Sequence, residues 1–369
     1  EYAKSGQTQK ALLIFDKAVS VARFIYDNDD KAWALSDIAK ELAKAGQTQK
    51  ALLIFDKAVN VAGSIYDNYD KADTLINIAS ELAKAGQFDD ALNVARSISD
   101  DSDKAEALIN IASELAKAGQ TQKALQIFNK ALTVAGSISD DSDKAKALIN
   151  IASELAKAGQ TQKALQIFNK ALTVAGFIFF DFLKAEALRD IASELAKAGQ
   201  FDKAVTAAGS ISDDSDKARA LKDIASELAK AGQFDKAVSV AGSISDDFYK
   251  AYALSDIASE LAKAGQFNKA LTVARSISDD YFKAWALSDI ASELAKAGQT
   301  QKALQIFDDA LNAAGSISDD DDKADTLINI ASELAEAGQF DKAFDVAMSI
   351  YDNDDRDDTL RYIASELAK

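Results

Sequence analysis

The residues of this sequence that could most readily bind a ligand are its aspartate runs. They read DDSD at 100–103 and 140–143, DDDD at 319–322 and DNDD at 352–355. Clustered carboxylates can hold Ca²⁺, but a calcium loop between two helices needs spaced ligands, a glycine at its turn and a distal glutamate. None of the runs has that spacing. Each run instead precedes a helical pattern, where aspartate caps the first turn and complements the helix dipole. We therefore expect helix caps, with no metal and no cofactor.

Nucleophilic catalysis has little support in the composition. Serine is plentiful, but the 369 residues include no histidine and no cysteine, so serine lacks an imidazole base and no thiolate exists. The Gly-Gln pairs are single glycines and do not form a phosphate-binding loop. The sequence predicts that this protein is not an enzyme and has no catalytic residues.

The net charge of −17 limits the partners. Binding to nucleic acid or to an anionic membrane surface requires lysine and arginine to replace counterions, and this chain repels a polyanion on average. No uncharged apolar run approaches 18 residues, so no membrane insertion is expected. Missing cysteines do not indicate a compartment, because an array copied from one parent unit lacks everywhere what the parent lacked. Protein or peptide partners remain.

A repeating Gly-Gln pair organises the whole chain. Its glycine occurs at 6, 46, 86, 119, 159, 199, 232, 265, 298 and 338, at spacings of 33 or 40 residues. A threonine after Gln marks the long unit and a phenylalanine marks the short one, as in GQTQKALQIFNKALTVAGSI at 119–138 and GQFNKALTVARSI at 265–277. No linker interrupts the pattern. Residues 1–369 are therefore predicted to form a single repeat array, and its start in mid-phrase indicates a fragment of a longer array or chain.

Two helices account for each unit. Helix A is typified by KAEALINIASELAKAG at 104–119, with an apolar stripe at Leu108, Ile111, Ala112 and Leu115. Helix B follows Gly-Gln, and the predicted stripe of its long form is Leu125, Phe128, Leu132, Ala135 and Ile138. Seven extra residues add roughly 10 Å and turn the helix face by only about 20°. Long and short forms can therefore share one core. The repeats therefore predict an all-α fold, an α-solenoid in which about ten antiparallel helix pairs stack on one another.

The stretch AEALINIASELAKAGQTQKALQIFNKAL at 105–132 resembles the tetratricopeptide repeat. The resemblance rests on the matching positions Leu108, Ile111, Ala112, Leu115, Gly119, Ala124, Phe128 and Ala131. The closing proline of that family is absent from every unit. The resemblance implies a superhelix whose concave face, lined by helix A, holds a peptide or a partner helix.

Two positions of helix A vary while the rest of the unit barely changes. With Ala105 as position 1, position 2 reads Trp33, Asp73, Glu106, Lys146, Glu186, Arg219, Tyr252, Trp285, Asp325 and Asp358. Position 5 reads Ser36, Ile76, Ile109, Ile149, Arg189, Lys222, Ser255, Ser288, Ile328 and Arg361. The resemblance places both positions in the groove, and tryptophan, tyrosine and arginine dominate binding hot spots. The predicted partner-binding residues are therefore Trp33, Arg189, Arg219, Lys222, Tyr252 and Trp285. Drift at solvated positions is the alternative.

The turn from helix B to the next helix A is a second variable place. Most units read SISDDSD there, whereas residues 177–183 read FIFFDFL. Clustered exposed aromatics indicate a contact surface, and local packing against a neighbouring long helix B is the alternative. The predicted contact patch comprises Phe177, Phe179, Phe180, Phe182, Phe248, Tyr249, Tyr281 and Phe282.

Two functions follow from these patterns. The first is a non-enzymatic scaffold that binds a protein or peptide through the concave helix-A face, which the varied positions favour. The second is a structural protein whose repeats stack end to end into a filament or layer, which the near-perfect repetition favours. The apolar stripes near both ends, at Leu12, Phe15 and Val19 and at Leu360, Ile363 and Leu367, would then contact further copies of the same chain.

Overall fold

The computed structural model describes residues 8–369, with side chains from residue 12 onward. That part of the chain contains 20 α-helices and no strand, so the predicted all-α class is confirmed. It divides into two compact units, Glu1–Ala187 and Leu188–Lys369. The Gly-Gln pair at residue 6 and the stub of helix A before it lie outside the described residues.

The even-numbered helices are the A helices of the repeats. They are α2 (Asn28–Lys44), α4 (Asn68–Lys84), α6 (Asp101–Lys117), α8 (Asp141–Lys157), α10 (Asp181–Lys197), α12 (Asp214–Lys230), α14 (Asp247–Lys263), α16 (Asp280–Lys296), α18 (Asp320–Glu336) and α20 (Asn353–Leu367).

The odd-numbered helices are the B helices. They are α1 (Thr8–Ala22), α3 (Thr48–Ala62), α5 (Phe88–Ser97), α7 (Thr121–Ser137), α9 (Thr161–Ala175), α11 (Phe201–Gly209), α13 (Phe234–Gly242), α15 (Phe267–Arg275), α17 (Thr300–Ser316) and α19 (Phe340–Ala347). Those that begin with threonine have 15 or 17 residues. Those that begin with phenylalanine have 8 to 10. The seven extra residues are therefore helical, as their heptad spacing predicts.

Local signals fix where each helix begins and ends. In α6, the carboxylate of Asp100 accepts the backbone N–H groups of Ser102 and Asp103 at 2.8 and 3.2 Å. The aspartate runs are thus helix caps, and they satisfy donors that the first turn leaves free. Helix A ends where the φ of Gly119 reaches +74°, a left-handed conformation that glycine adopts without steric cost. Glycine stands at this place in all nine described copies of the turn.

The core forms where A and B helices meet. Within each compact unit an A helix contacts the B helix that follows it, as α6 contacts α7, and an A helix packs against the next A helix, as α4 packs against α6 and α14 against α16. The predicted helix-A stripe is buried. In the long helix B, however, the buried face is centred on Ala124, Ile127 and Phe128, whereas Leu125 and Leu132 are half-buried. Alanines at the centre allow close approach of the helices, so the larger leucines lie at the edge of the contact.

Candidate partner-binding surface

Position 2 of helix A lies beside the next A helix and is only partly covered. Trp33 in α2 is 39% exposed and Tyr252 in α14 is 38% exposed. Trp285 in α16 is half-buried. The position follows the capped first turn and is off the leucine stripe, so a large side chain there lies along the surface between neighbouring A helices. These rings are therefore accessible without belonging to the apolar core.

The aromatic residues of α14 and α16 form one continuous group, which we call the aromatic stack. The ring of Phe282 lies 5.4 Å from Tyr252 in a stacked arrangement and 5.2 Å from Phe248 edge to face. Tyr281 lies 5.8 Å from Trp285. These distances are in the favourable range for aromatic pairs. Residues that the sequence assigned to two surfaces, the groove and the contact patch, are thus brought together in the second unit.

Phe282 differs from the expectation for the contact patch. It is only 9% exposed, because it is enclosed by Tyr252, Phe248 and Tyr281. Its ring supports the aromatic stack and offers little surface of its own. Of the other turn aromatics of this unit, Phe248 is exposed and Tyr249 and Tyr281 are half-buried.

The cationic residues of the predicted groove have partners within the chain. The ammonium of Lys222 lies 4.6 Å from the centre of the Tyr252 ring and also pairs with Asp223. The guanidinium of Arg189 donates to Asp216 at 3.0 Å. Arg219 is exposed. Lys222 and Arg189 therefore connect neighbouring A helices, whereas Arg219 faces solvent.

The four remaining phenylalanines of the contact patch lie in the first unit, at the turn before α10 and in its first residues. Phe177, Phe179, Phe180 and Phe182 are between 57% and 88% exposed. Phe179 and Phe180 touch edge to face at 5.4 Å. Unlike Phe282, none of the four is enclosed, so this turn is an exposed apolar patch.

Two partly buried hydrogen bonds between A helices are not predicted by the sequence patterns. Ser226 donates to Asp256 at 2.5 Å, and Ser259 donates to Asp289 in the same way one repeat later. Burial raises the pKa of both carboxyl groups, and the serine hydrogen bond partly opposes that rise. The signal in the sequence is the sixth position of helix A, which is aspartate or asparagine in every repeat except the last, where it is Tyr362. Only the packing of successive A helices shows that it faces a serine.

Acidic residues border the aromatic stack on α18. The pKa of Tyr281 is raised by burial and by the nearby charges of Asp325 and Asp322. Both aspartates are exposed. The indole N–H of Trp285 is buried and has no acceptor among the described residues. The surface therefore combines aromatic rings with negative charge.

A cavity of about 520 Å³ opens on the corresponding face of the first unit. Its walls include three residues of position 2, Asp73, Glu106 and Lys146, and its apolar floor includes Ile76 and Ile109 of position 5. The variable positions of the sequence thus line a recess in this unit as well.

Within residues 8–369, no group of three or more acidic residues is arranged to hold a metal ion. The helices of that part are also too short or too polar to cross a bilayer. The surface offers aromatic contact, hydrogen bonding and negative charge, which are means of binding.

Comparison with known proteins finds a family match in one part of the chain. The tetratricopeptide repeat family model matches residues 103–176. No curated protein matches the chain. Among solved structures, Ton1535 from Thermococcus onnurineus NA1 is similar at 20% identity and a TM-score of 0.41, over 89% of this chain and 98% of that one. The apo form of the quorum sensor NprR from B. thuringiensis is similar at 14% identity and a TM-score of 0.30, over 85% and 95%. A signal transduction ATPase with a tetratricopeptide repeat sensor, PH0952 from Pyrococcus horikoshii, is similar at 13% identity and a TM-score of 0.31, over 86% and 52%.

Proposed function

We propose that this chain of tetratricopeptide-like repeats is a non-enzymatic scaffold that binds a protein or peptide through the face formed by its A helices. Repeats of this family generally serve protein interaction, and residues 103–176 match the family model. The face in question carries the residues that vary between otherwise near-identical units.

The observation that carries the proposal is the aromatic stack. Drift at solvated positions scatters residue types independently, whereas Tyr252, Phe282 and Trp285 lie on two adjacent helices and their rings join one group. Aromatic rings that stay partly exposed beside a rigid scaffold supply binding energy at little cost in conformational entropy. Helices α14 and α16 hold these rings in place before a partner arrives, because they pack on each other and on the neighbouring A helices α12 and α18.

An unbiased peptide library tests this proposal. Random dodecapeptides displayed on phage are selected on the immobilised intact chain and then tested against the variant Tyr252→Ala/Trp285→Ala. We expect enriched peptides whose binding falls by at least about tenfold in this variant, because hot-spot rings each contribute a kcal/mol or more.

The matched control replaces two aromatic residues outside this face. Tyr26 and Tyr66 are fully exposed at turns of the first unit, so Tyr26→Ala/Tyr66→Ala removes similar rings. Binding by this control should stay within about twofold of the original. Failure to enrich any peptide, or equal losses in the two variants, would overturn the proposal. Circular dichroism of both variants verifies that they remain helical.

A further inference from the structure

The ring of Tyr252 shows how this scaffold binds a cation. The ammonium of Lys222 lies 4.6 Å from the centre of the ring, and Phe282 stacks on the same ring at 5.4 Å. A cation within about 6 Å of a ring centre is attracted by the negative face of the π system. In terms of the repeat, position 5 of one A helix places a cation over position 2 of the next.

One repeat later the same arrangement lacks its cation. Trp285 occupies position 2 of α16, and position 5 of the preceding helix α14 is Ser255 instead of lysine. Ser255 is short and buried, and no cation of the described residues lies over the indole. The ring that binds cations most strongly, tryptophan, is thus placed where the scaffold supplies none.

The next A helix, α18, supplies negative charge beside Trp285. In the stack, Phe282 stands three residues before position 2 of α16 and contacts Tyr252 of α14. The residue that stands in the same relation to Trp285 is Asp322, and position 2 of α18 itself is Asp325. Both carboxylates are exposed, and the electrostatic effect of both reaches Tyr281, which touches the indole. A cation over Trp285 would therefore have two counter-charges.

The first unit carries the same combination. Trp33 of α2 is followed in α4 by Asp70 and Asp73, in the same two positions as Asp322 and Asp325. The phrase DKAD occurs at 70–73 and 322–325, in each case in the A helix that follows a tryptophan-bearing A helix. Position 5 of both tryptophan helices is a serine, Ser36 or Ser288, with 0% exposure and no hydrogen-bond partner for its hydroxyl among the described residues. The same combination of residues at the same repeat positions thus recurs in both units.

We infer that Trp33 with Asp70 and Asp73, and Trp285 with Asp322 and Asp325, are two equivalent receptor sites for a lysine or arginine side chain of a partner polypeptide. The inference rests on the proposed function and names the chemistry of the partner. The ring face attracts the cation, and the aspartate pair balances its charge. The net charge of −17 favours approach of a basic segment to either site.

Tryptophan fluorescence tests each site separately, because the chain contains only two tryptophans. In the variant Trp33→Phe the emission comes from Trp285 alone. Octalysine is added at about 0.15 M salt, where the Debye length of about 8 Å suppresses long-range attraction. We expect saturable quenching or a shift of the emission, and the same result for Trp33 in the reciprocal variant Trp285→Phe.

Charge-matched variants distinguish binding of octalysine at this site from general electrostatic attraction to the acidic chain. Asp322→Asn/Asp325→Asn, in the Trp33→Phe background, should weaken octalysine binding by about tenfold or more. Asp89→Asn/Asp90→Asn removes the same charge from the exposed start of α5 and should change binding less than about twofold. Equal weakening by both pairs, or no change in tryptophan emission, would overturn the inference.

The library selection distinguishes this inference from the proposed function. Enriched peptides rich in lysine or arginine, whose binding requires Asp322 and Asp325, support both. Enriched peptides that need Trp285 but carry no basic residue overturn the cationic sites and leave the scaffold standing. Failure to enrich any peptide overturns the scaffold itself.

Discussion

Deletion of residues 121–127 from the long helix α7 tests how one chain uses two repeat lengths. The deletion converts the sequence after Gly119-Gln120 to FNKALTVAGSI, which matches the short unit at 267–277 except for one residue. The helix loses nearly two turns, and the rest of its apolar face is displaced by only about 20°. We therefore expect a folded, helical protein of lower stability.

The magnitude follows from the side chains removed. Ile127 and Ala124 are buried and Leu125 is half-buried. A fully buried isoleucine contributes about 1.5–3 kcal/mol, and the alanine and the half-buried leucine about 0.8 and 1 kcal/mol. The removed backbone changes little, since extending an existing helix by one residue is close to neutral in free energy. The loss in unfolding free energy should be about 3–5 kcal/mol.

Urea denaturation followed by circular dichroism at 222 nm measures this loss. The control deletes only residues 121–125, which rotates the remaining face of α7 by about 140° at 100° per residue. Although it removes fewer residues and keeps Ile127, this variant should be less stable than the seven-residue deletion. If the five-residue deletion proves the more stable of the two, the heptad argument is wrong.

Three further changes test the caps and the buried carboxylates. Asp100→Ala removes the cap of α6 and should lower the free energy of unfolding by about 1 kcal/mol. Asp101→Ala, which removes no cap, should lower it by less, and urea titration of both variants measures the difference. Gly119→Ala should lower the free energy of unfolding by about 1–2 kcal/mol, because alanine is strained in the left-handed backbone conformation. An added Cβ has no atom within 4 Å, so no clash adds to this loss. A loss near zero would contradict the assigned φ. Burial raises the folded-state pKa of Asp289 above its unfolded value. The ionised carboxylate therefore destabilises the folded protein fully at neutral pH, and this destabilisation is lost as the pH falls through the folded-state pKa. Asp289→Asn should therefore raise the unfolding midpoint at pH 7 by more than at pH near 4, and an equal gain at both pH values would refute the assignment.

The fold could be predicted largely from the sequence because its signals are local and repeated. Asp100 and Gly119 define the ends of α6 through capping and through a left-handed φ, and both effects depend on neighbours within a few residues. The helix-A stripe at Leu108 and Leu115 follows the helical period. The lengths of the B helices follow from the heptad, which preserves the face of a helix whatever it packs against. Repetition then strengthens each signal, since the same phrase must fold in the same way in every unit.

The candidate binding surface depends on contacts between repeats, which the sequence of a single repeat does not contain. The sequence singled out Tyr252, Trp285 and Phe282 by their variation, but assigned them to separate surfaces. Packing of α14 on α16 joins them, and it encloses Phe282 where exposure was expected. Likewise, Leu125 was predicted to belong to the apolar stripe of the long helix B, but in the structure it lies at the margin of the contact, whereas Ile127, which was not predicted, is buried. Distances between side chains of different helices are set by tertiary packing, so the sequence determined which residues vary, and the structure decided which of them act together.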